Sequence, residues 1–168
     1  MDNTERYIYK LYKSIDVSSR DHLSIDCLSS IFDIDIRTWE YTSELVHYKG
    51  KYKMFINENL NKRQQWQDFG HEICHYFWHR GTQRYLSQMY IDYQEHKADY
   101  FAYHFCVPTF MLAKLREVNV YKIMNLFNVE FDFALRRLEM YKNKLLEGRI
   151  IWQEGMSDIV AETSTKWR

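Results

Sequence analysis

His71-Glu72-Ile73-Cys74-His75 is the stretch on which the reading of this chain turns. On a helix, two histidines four residues apart differ by about 40° around the axis and about 6 Å along it, so both imidazoles reach one metal ion from the same face. A glutamate directly after the first histidine completes the H-E-x-x-H pattern of zinc peptidases, in which the acid is general base toward a water on the metal. Around the motif, Trp66, Phe69, Ile73 and Phe77 form an apolar stripe and Gly70 permits close packing. Asp68 stands one turn before His71, and both histidines fall off the stripe, whereas histidines that merely filled a core would fall on it.

A catalytic zinc site takes three protein ligands and keeps one position open. His79 continues the four-residue row but lies about 12 Å from His71 in rise, too far to close the same triangle. Its plain reading is a surface or groove-edge histidine, with substrate contact as the alternative. The helix predicted over 88–106 carries Glu95 and Asp99 one turn apart, and either can supply the third ligand. Cys106 and Cys74 are softer alternatives, although Cys74 points about 100° away from His75.

The chain has 168 residues, 46% of them hydrophobic, which suits one domain with a real core and a small appendage. Its zero formal net charge argues against nucleic acid or an anionic membrane as the main partner. Three cysteines, Cys27, Cys74 and Cys106, have no paired spacing and read as reduced thiols of a cytoplasmic protein. The start, Met1-Asp2-Asn3-Thr4-Glu5, is polar with no apolar run behind it, so no signal peptide is expected, and no stretch is long enough to span a bilayer.

With 5 Gly and 1 Pro, element boundaries come from caps and periodicity. Helices are predicted over about 4–15, 22–32, 61–80, 88–106, 110–117, 120–127 and 131–146, with Asn59 or Asn61 capping the motif helix. Residues 34–40, 44–48 and 51–56 read as strands, the last two joined by a turn at Lys49-Gly50. Lysines alternate with bulky residues over 51–56, which reads as an exposed edge strand. Lys53, Met54 and Phe55 would then pair with an extended substrate.

Two longer stretches carry a family resemblance. Residues 66–79 place the motif after Trp66, Phe69 and Gly70 and before His79; residues 93–108 run from Tyr93 through Glu95, Ala98, Asp99, Phe101 and Ala102 to Pro108. Together they resemble the ImmA/IrrE-type metallopeptidases, which carry H-E-L-G-H and then E-x-x-A-[ND]-x-F-A before an apolar stretch ending near proline. The strand 54–60 is similar to the family's segment before the zinc helix, and the likeness covers roughly residues 20–145. It implies an α+β, zincin-like minimal metallopeptidase domain: a small antiparallel or mixed sheet plus helices, with C-terminal helix-turn-helix-like helices. The corresponding division is 1–108 as metallopeptidase core, 109–146 as a helical extension packed on it, and 147–168 as a tail. The resemblance implies one zinc ion per chain on His71, His75 and Glu95, Glu72 as the catalytic base, and Asp99 orienting a histidine. Cys74 departs from the family's usual glycine and puts a side chain where the helix packs.

Tyr76, Tyr93, Tyr100 and His104 are each candidates to donate a hydrogen bond to a tetrahedral oxyanion. Residues 119–145 resemble a helix-turn-helix, with Leu126, Val129, Ala134 and Leu138 as its small core. From 109 to 149 eight Lys/Arg stand against five Asp/Glu, too weak a bias for a DNA-reading stripe. The implied function is a site-specific zinc endopeptidase whose protein substrate is a helix-turn-helix repressor of a phage or integrative element. The rival is a non-catalytic regulator that binds a repressor or DNA around a structural or vestigial zinc.

Overall fold

In a computed structural model that describes residues 2–78 and 86–147, the chain is α+β, with a small mixed sheet packed against helices. Helix α1 (Asn3–Ser14) opens with a reciprocal cap: Asp2 accepts from the Glu5 N–H at 2.9 Å, and Glu5 accepts from the Asp2 N–H at 3.2 Å. A single 3-10 turn at Arg20–His22 precedes α2 (Ile25–Phe32). The predicted helix over 22–32 is therefore shorter at its start, because Ser24 caps it by accepting from the Cys27 N–H. Asp33 then ends α2 in the left-handed conformation and turns the chain into β1 (Ile34–Trp39).

Strand β2 (Glu44–Tyr48) and β3 (Lys51–Asn57) form a hairpin. Lys49 and Gly50 both have positive φ (51° and 79°), the two-residue turn whose twist matches the strands it joins. The sheet order is β1-β3-β2, with β1 parallel and β2 antiparallel to β3. This overturns the edge-strand expectation for 51–56. Lys53, Met54 and Phe55 pair with β1 on one side and β2 on the other, so their backbone groups are not offered to a substrate. The alternation of lysines with Tyr52, Met54 and Ile56 reports an exposed face of the sheet, not an exposed edge. The edges are β1 and β2.

Helix α3 (Lys62–Trp78) is capped by Asn61, which accepts from the Arg63 and Gln64 N–H groups while Gln64 accepts from the Asn61 N–H. It packs along α4 (Gln88–Cys106). The helices touch at Gly70, where an added Cβ would lie 2.6 Å from the Cys106 Sγ. One turn later Cys74 is fully buried, its thiol 3.9 Å from the Lys97 carbonyl oxygen. The close approach thus sits at Gly70, and position 74 has room for a sulfur.

Pro108 ends α4, and α5 (Thr109–Leu112) stops after one turn, short of the helix predicted over 110–117. Helix α6 (Val120–Phe127) starts on Asn119 and ends on left-handed Asn128, and α7 (Phe131–Glu147) follows. One apolar core runs from Ile8 and Tyr12 on α1, through Met54 and Ile56 on β3, Phe69 and Ile73 on α3 and Phe101 and Phe105 on α4, to Ile123, Phe127, Ala134 and Leu138. No helix among the described residues is long and apolar enough to cross a membrane. All three cysteines are free thiols. His79 and residues 148–168 of the predicted tail lie outside the described residues.

Candidate metal centre

His71 and His75 leave α3 on one face, opposite Glu95 of α4, and the packing of the two helices brings the three side chains together. The His71 Nε2 lies 3.1 Å from Glu95 Oε2 and 3.3 Å from His75 Nε2, and the His75 Nε2 lies 3.7 Å from Glu95 Oε1. Tetrahedral ligands bound about 2.05 Å from a zinc ion stand about 3.3 Å from one another. The three donor separations bracket that value, and two imidazoles with one carboxylate are a zinc donor set. The residues present fit the ion. Both histidines offer Nε2, while His71 Nδ1 meets Asp99 Oδ1 at 2.9 Å. A carboxylate on the far nitrogen fixes the tautomer that leaves Nε2 free to ligate.

Burial pulls the His71 imidazole down, but its hydrogen bond to Asp99 and the charges of Glu72, Asp99 and Glu95 outweigh that and raise it to about 9. Without an ion, the acids thus hold a proton on His71. Glu72 is 9% exposed, and burial raises its carboxyl to about 7 against the opposing pull of His71 and the Leu45 N–H. That amide donates to Glu72 Oε2 at 2.9 Å. Burial lifts the Cys74 thiol to about 12 and raises the Cys106 thiol well above its ordinary value, as in inert packing thiols.

The Leu45 amide also tells which backbone groups face the site. Its donation to Glu72 turns it away from β3, so in the antiparallel ladder His47, two residues on, presents its backbone to the same outer side. The outer edge of β2 therefore runs beside the motif. One turn before Glu72, Asp68 accepts from the Ser43 hydroxyl at 2.6 Å. No residue pattern signals the Ser43 and Leu45 contacts, because they depend on strand order.

The four candidates for oxyanion contact go elsewhere. Tyr100 and His104 lie about 140° and about 180° around α4 from Glu95, so they face away from the imidazoles. The Tyr100 hydroxyl donates to Asp2 at 2.5 Å, and His104 is 2% exposed with Nδ1 3.5 Å from Glu5. Tyr93 is exposed on α4 beside Tyr90 and Lys97. Tyr76 donates to the Phe32 carbonyl at 3.3 Å and packs on Phe32 and Tyr52.

A second group of donors gathers behind α4: Asp2, Glu5 and His104. Lys144 contacts Glu5 and lies 3.6 Å from Asp2. Thr109 donates to Glu5 at 2.6 Å and accepts from the fully buried Arg137 at 2.7 Å. Lys144 serves both acids directly, and Arg137 reaches Glu5 through the Thr109 hydroxyl.

Residues 30–139 match the Peptidase M78 model, described as the IrrE N-terminal-like domain. The chain is 32% identical over 149 residues to the phage-like element PBSX protein XkdA of Bacillus subtilis (strain 168), covering 86% of this chain and 75% of that protein. It is 32% identical over 148 residues to the uncharacterized protein YqaB of the same strain, covering 85% and 86% respectively. No solved structure matches significantly. The chain belongs to the M78 peptidase family with the IrrE N-terminal-like domain.

Proposed function

We propose that this member of the family is a zinc-dependent endopeptidase that cuts a helix-turn-helix repressor protein, and that the fold around its site is zincin-like. The observation that carries the reading is the convergence of His71, His75 and Glu95 next to a buried acid that no ligand role consumes. A structural zinc site has no use for Glu72. When bound, zinc would supply Lewis-acid activation of water and of a peptide carbonyl. His71, His75 and Glu95 hold the ion, and Asp99 keeps His71 in the ligating tautomer. Glu72 takes a proton from the attacking water and returns it to the leaving amine. The Leu45 N–H occupies Oε2, which assigns the proton to Oε1. An extended substrate segment pairs with the outer edge of β2 at His47, in place of the β3 residues expected from the sequence.

The protein substrate is supported by the name of one relative, which places that relative in a phage-like element. The α6–α7 pair, helix-turn-helix-like in outline, is support and docking surface for that substrate rather than a DNA reader. The test is incubation with a repressor encoded next to this chain, with and without chelator. Chelator-sensitive cleavage, abolished in Glu72→Gln while zinc is retained, is the expected result. A metal-independent DNA gel shift with no cleavage would replace the peptidase by a regulator.

A further inference from the structure

We infer that Ser43 and Asp68 are positioning residues for Glu72, and that they act by clamping the edge strand β2 in register on α3. Their catalytic consequence rests on the peptidase reading above; the clamp itself does not.

The geometry starts from two matched repeats. Asp68 and Glu72 lie four residues apart on α3, about 6 Å along its axis. Ser43 and Leu45 lie two residues apart in an extended chain, about 6.8 Å. Strand and helix therefore run alongside each other with nearly commensurate steps. The Ser43 hydroxyl meets Asp68 at 2.6 Å, and the Leu45 amide meets Glu72 at 2.9 Å.

The Ser43 hydroxyl has one proton, and the chemistry around it settles where that proton goes. The Asn57 N–H, at the end of β3, donates to Ser43 Oγ at 3.0 Å. That fixes the oxygen as acceptor on one side and commits its proton to the Asp68 carboxylate. One side chain, 7% exposed, thus ties β3, the start of β2 and α3 together. Removing the buried hydroxyl leaves a half-buried amide and carboxylate without this partner, which favours lifting the strand.

Lifting the strand reaches Glu72 through Leu45. A one-residue slip of β2 turns every backbone and side-chain direction over, so the amide at 45 would point toward β3 and leave the carboxylate. Glu72 is one side chain on a helix; its direction is set by what holds its oxygens. Ser43 and Asp68 touch neither the zinc ligands nor the acid itself, which makes them positioning residues and not catalytic ones.

The experiment uses the full chain loaded with zinc, and four variants: Ser43→Ala, Ser43→Thr, Asp68→Asn and Glu72→Ala. Amide hydrogen exchange at Leu45, followed residue by residue in NMR spectra, is the primary readout. Exchange should rise about tenfold in Ser43→Ala, Asp68→Asn and Glu72→Ala, with zinc still stoichiometric in the first two. Ser43→Thr keeps the hydroxyl and should restore wild-type protection. Combining Asp68→Asn with Glu72→Ala should add little, since both act on one bond. On a cleaved repressor, Asp68→Asn should lower kcat about tenfold and leave KM within about twofold. Unchanged Leu45 exchange in Ser43→Ala and Asp68→Asn would overturn the clamp whatever the activity. If the variants behave as expected and the wild-type chain cuts no repressor, the clamp stands and the peptidase reading falls.

Discussion

Helix α4 carries two groups of donors on opposite sides, each with a histidine and carboxylates within ligand distance, and they behave in opposite ways. On one side His71 and His75 face Glu95 and Asp99; on the other, His104 faces Glu5 and Asp2. The acids raise His71 to about 9, against the effect of burial. Burial, with the Arg137 guanidinium beside it, holds His104 down at about 3. The first group calls for a positive charge and, without an ion, takes a proton. The second already has Lys144 and Arg137. Residue type and distance alone do not distinguish a metal centre from a structural lock; the surrounding charge does.

Removing one histidine from each side gives the widest contrast. His75→Ala should lose stoichiometric zinc after dialysis, while His104→Leu should keep it, both read by metal analysis. Equal zinc loss in the two would erase the distinction. Arg137→Met should destabilise the fold by about 3 kcal/mol, because it leaves the buried Val107 carbonyl and Thr109 hydroxyl without their charged donor. Urea unfolding reads that cost, and zinc per folded chain should stay unchanged.

Asp99→Asn should lower zinc affinity about 10- to 100-fold by loosening the His71 ring, as measured by competition with a chromophoric chelator. The pH dependence follows with its sign. His71 must lose its proton to ligate, and that proton leaves near pH 9 in the metal-free chain. Zinc affinity should therefore rise with pH below 9, by about tenfold per unit for this one proton. A flat profile between pH 6 and 8 would place the charge elsewhere. A comparable effect is expected where α3 and α4 touch. Gly70→Ala should cost about 1–3 kcal/mol by pressing a methyl into Cys106, and Cys106→Ala should recover part of it in a double-mutant cycle.

What the sequence could disclose depended on how local each feature was. The shared face of His71 and His75 was readable from their four-residue spacing; the spacing left Glu95 and Asp99 both open on the next helix, and only the family resemblance singled out Glu95, which the packing of α3 on α4 brings to the two imidazoles. The order of the strands was not. Lys51 is exposed and Lys53 half-buried on the wetter face, yet β3 is the middle strand, since alternation along one strand says which face is wetter and nothing about its neighbours. The Leu45 amide carries no side-chain signal at all, so its hold on Glu72 could appear only once β2 was placed. Tyr100 and His104 were misread for a related reason: their partners, Asp2 and Glu5, are almost a hundred residues away in sequence. The compensating cations come from α7, still further along the chain.

Zinc K-edge X-ray absorption on the loaded chain tests the joint grip of α3 and α4 most directly. The account predicts a nitrogen and oxygen shell at about 2.0–2.1 Å with the scattering of two imidazoles. A sulfur shell at about 2.3 Å, drawing Cys74 or Cys106 into the site, would contradict it.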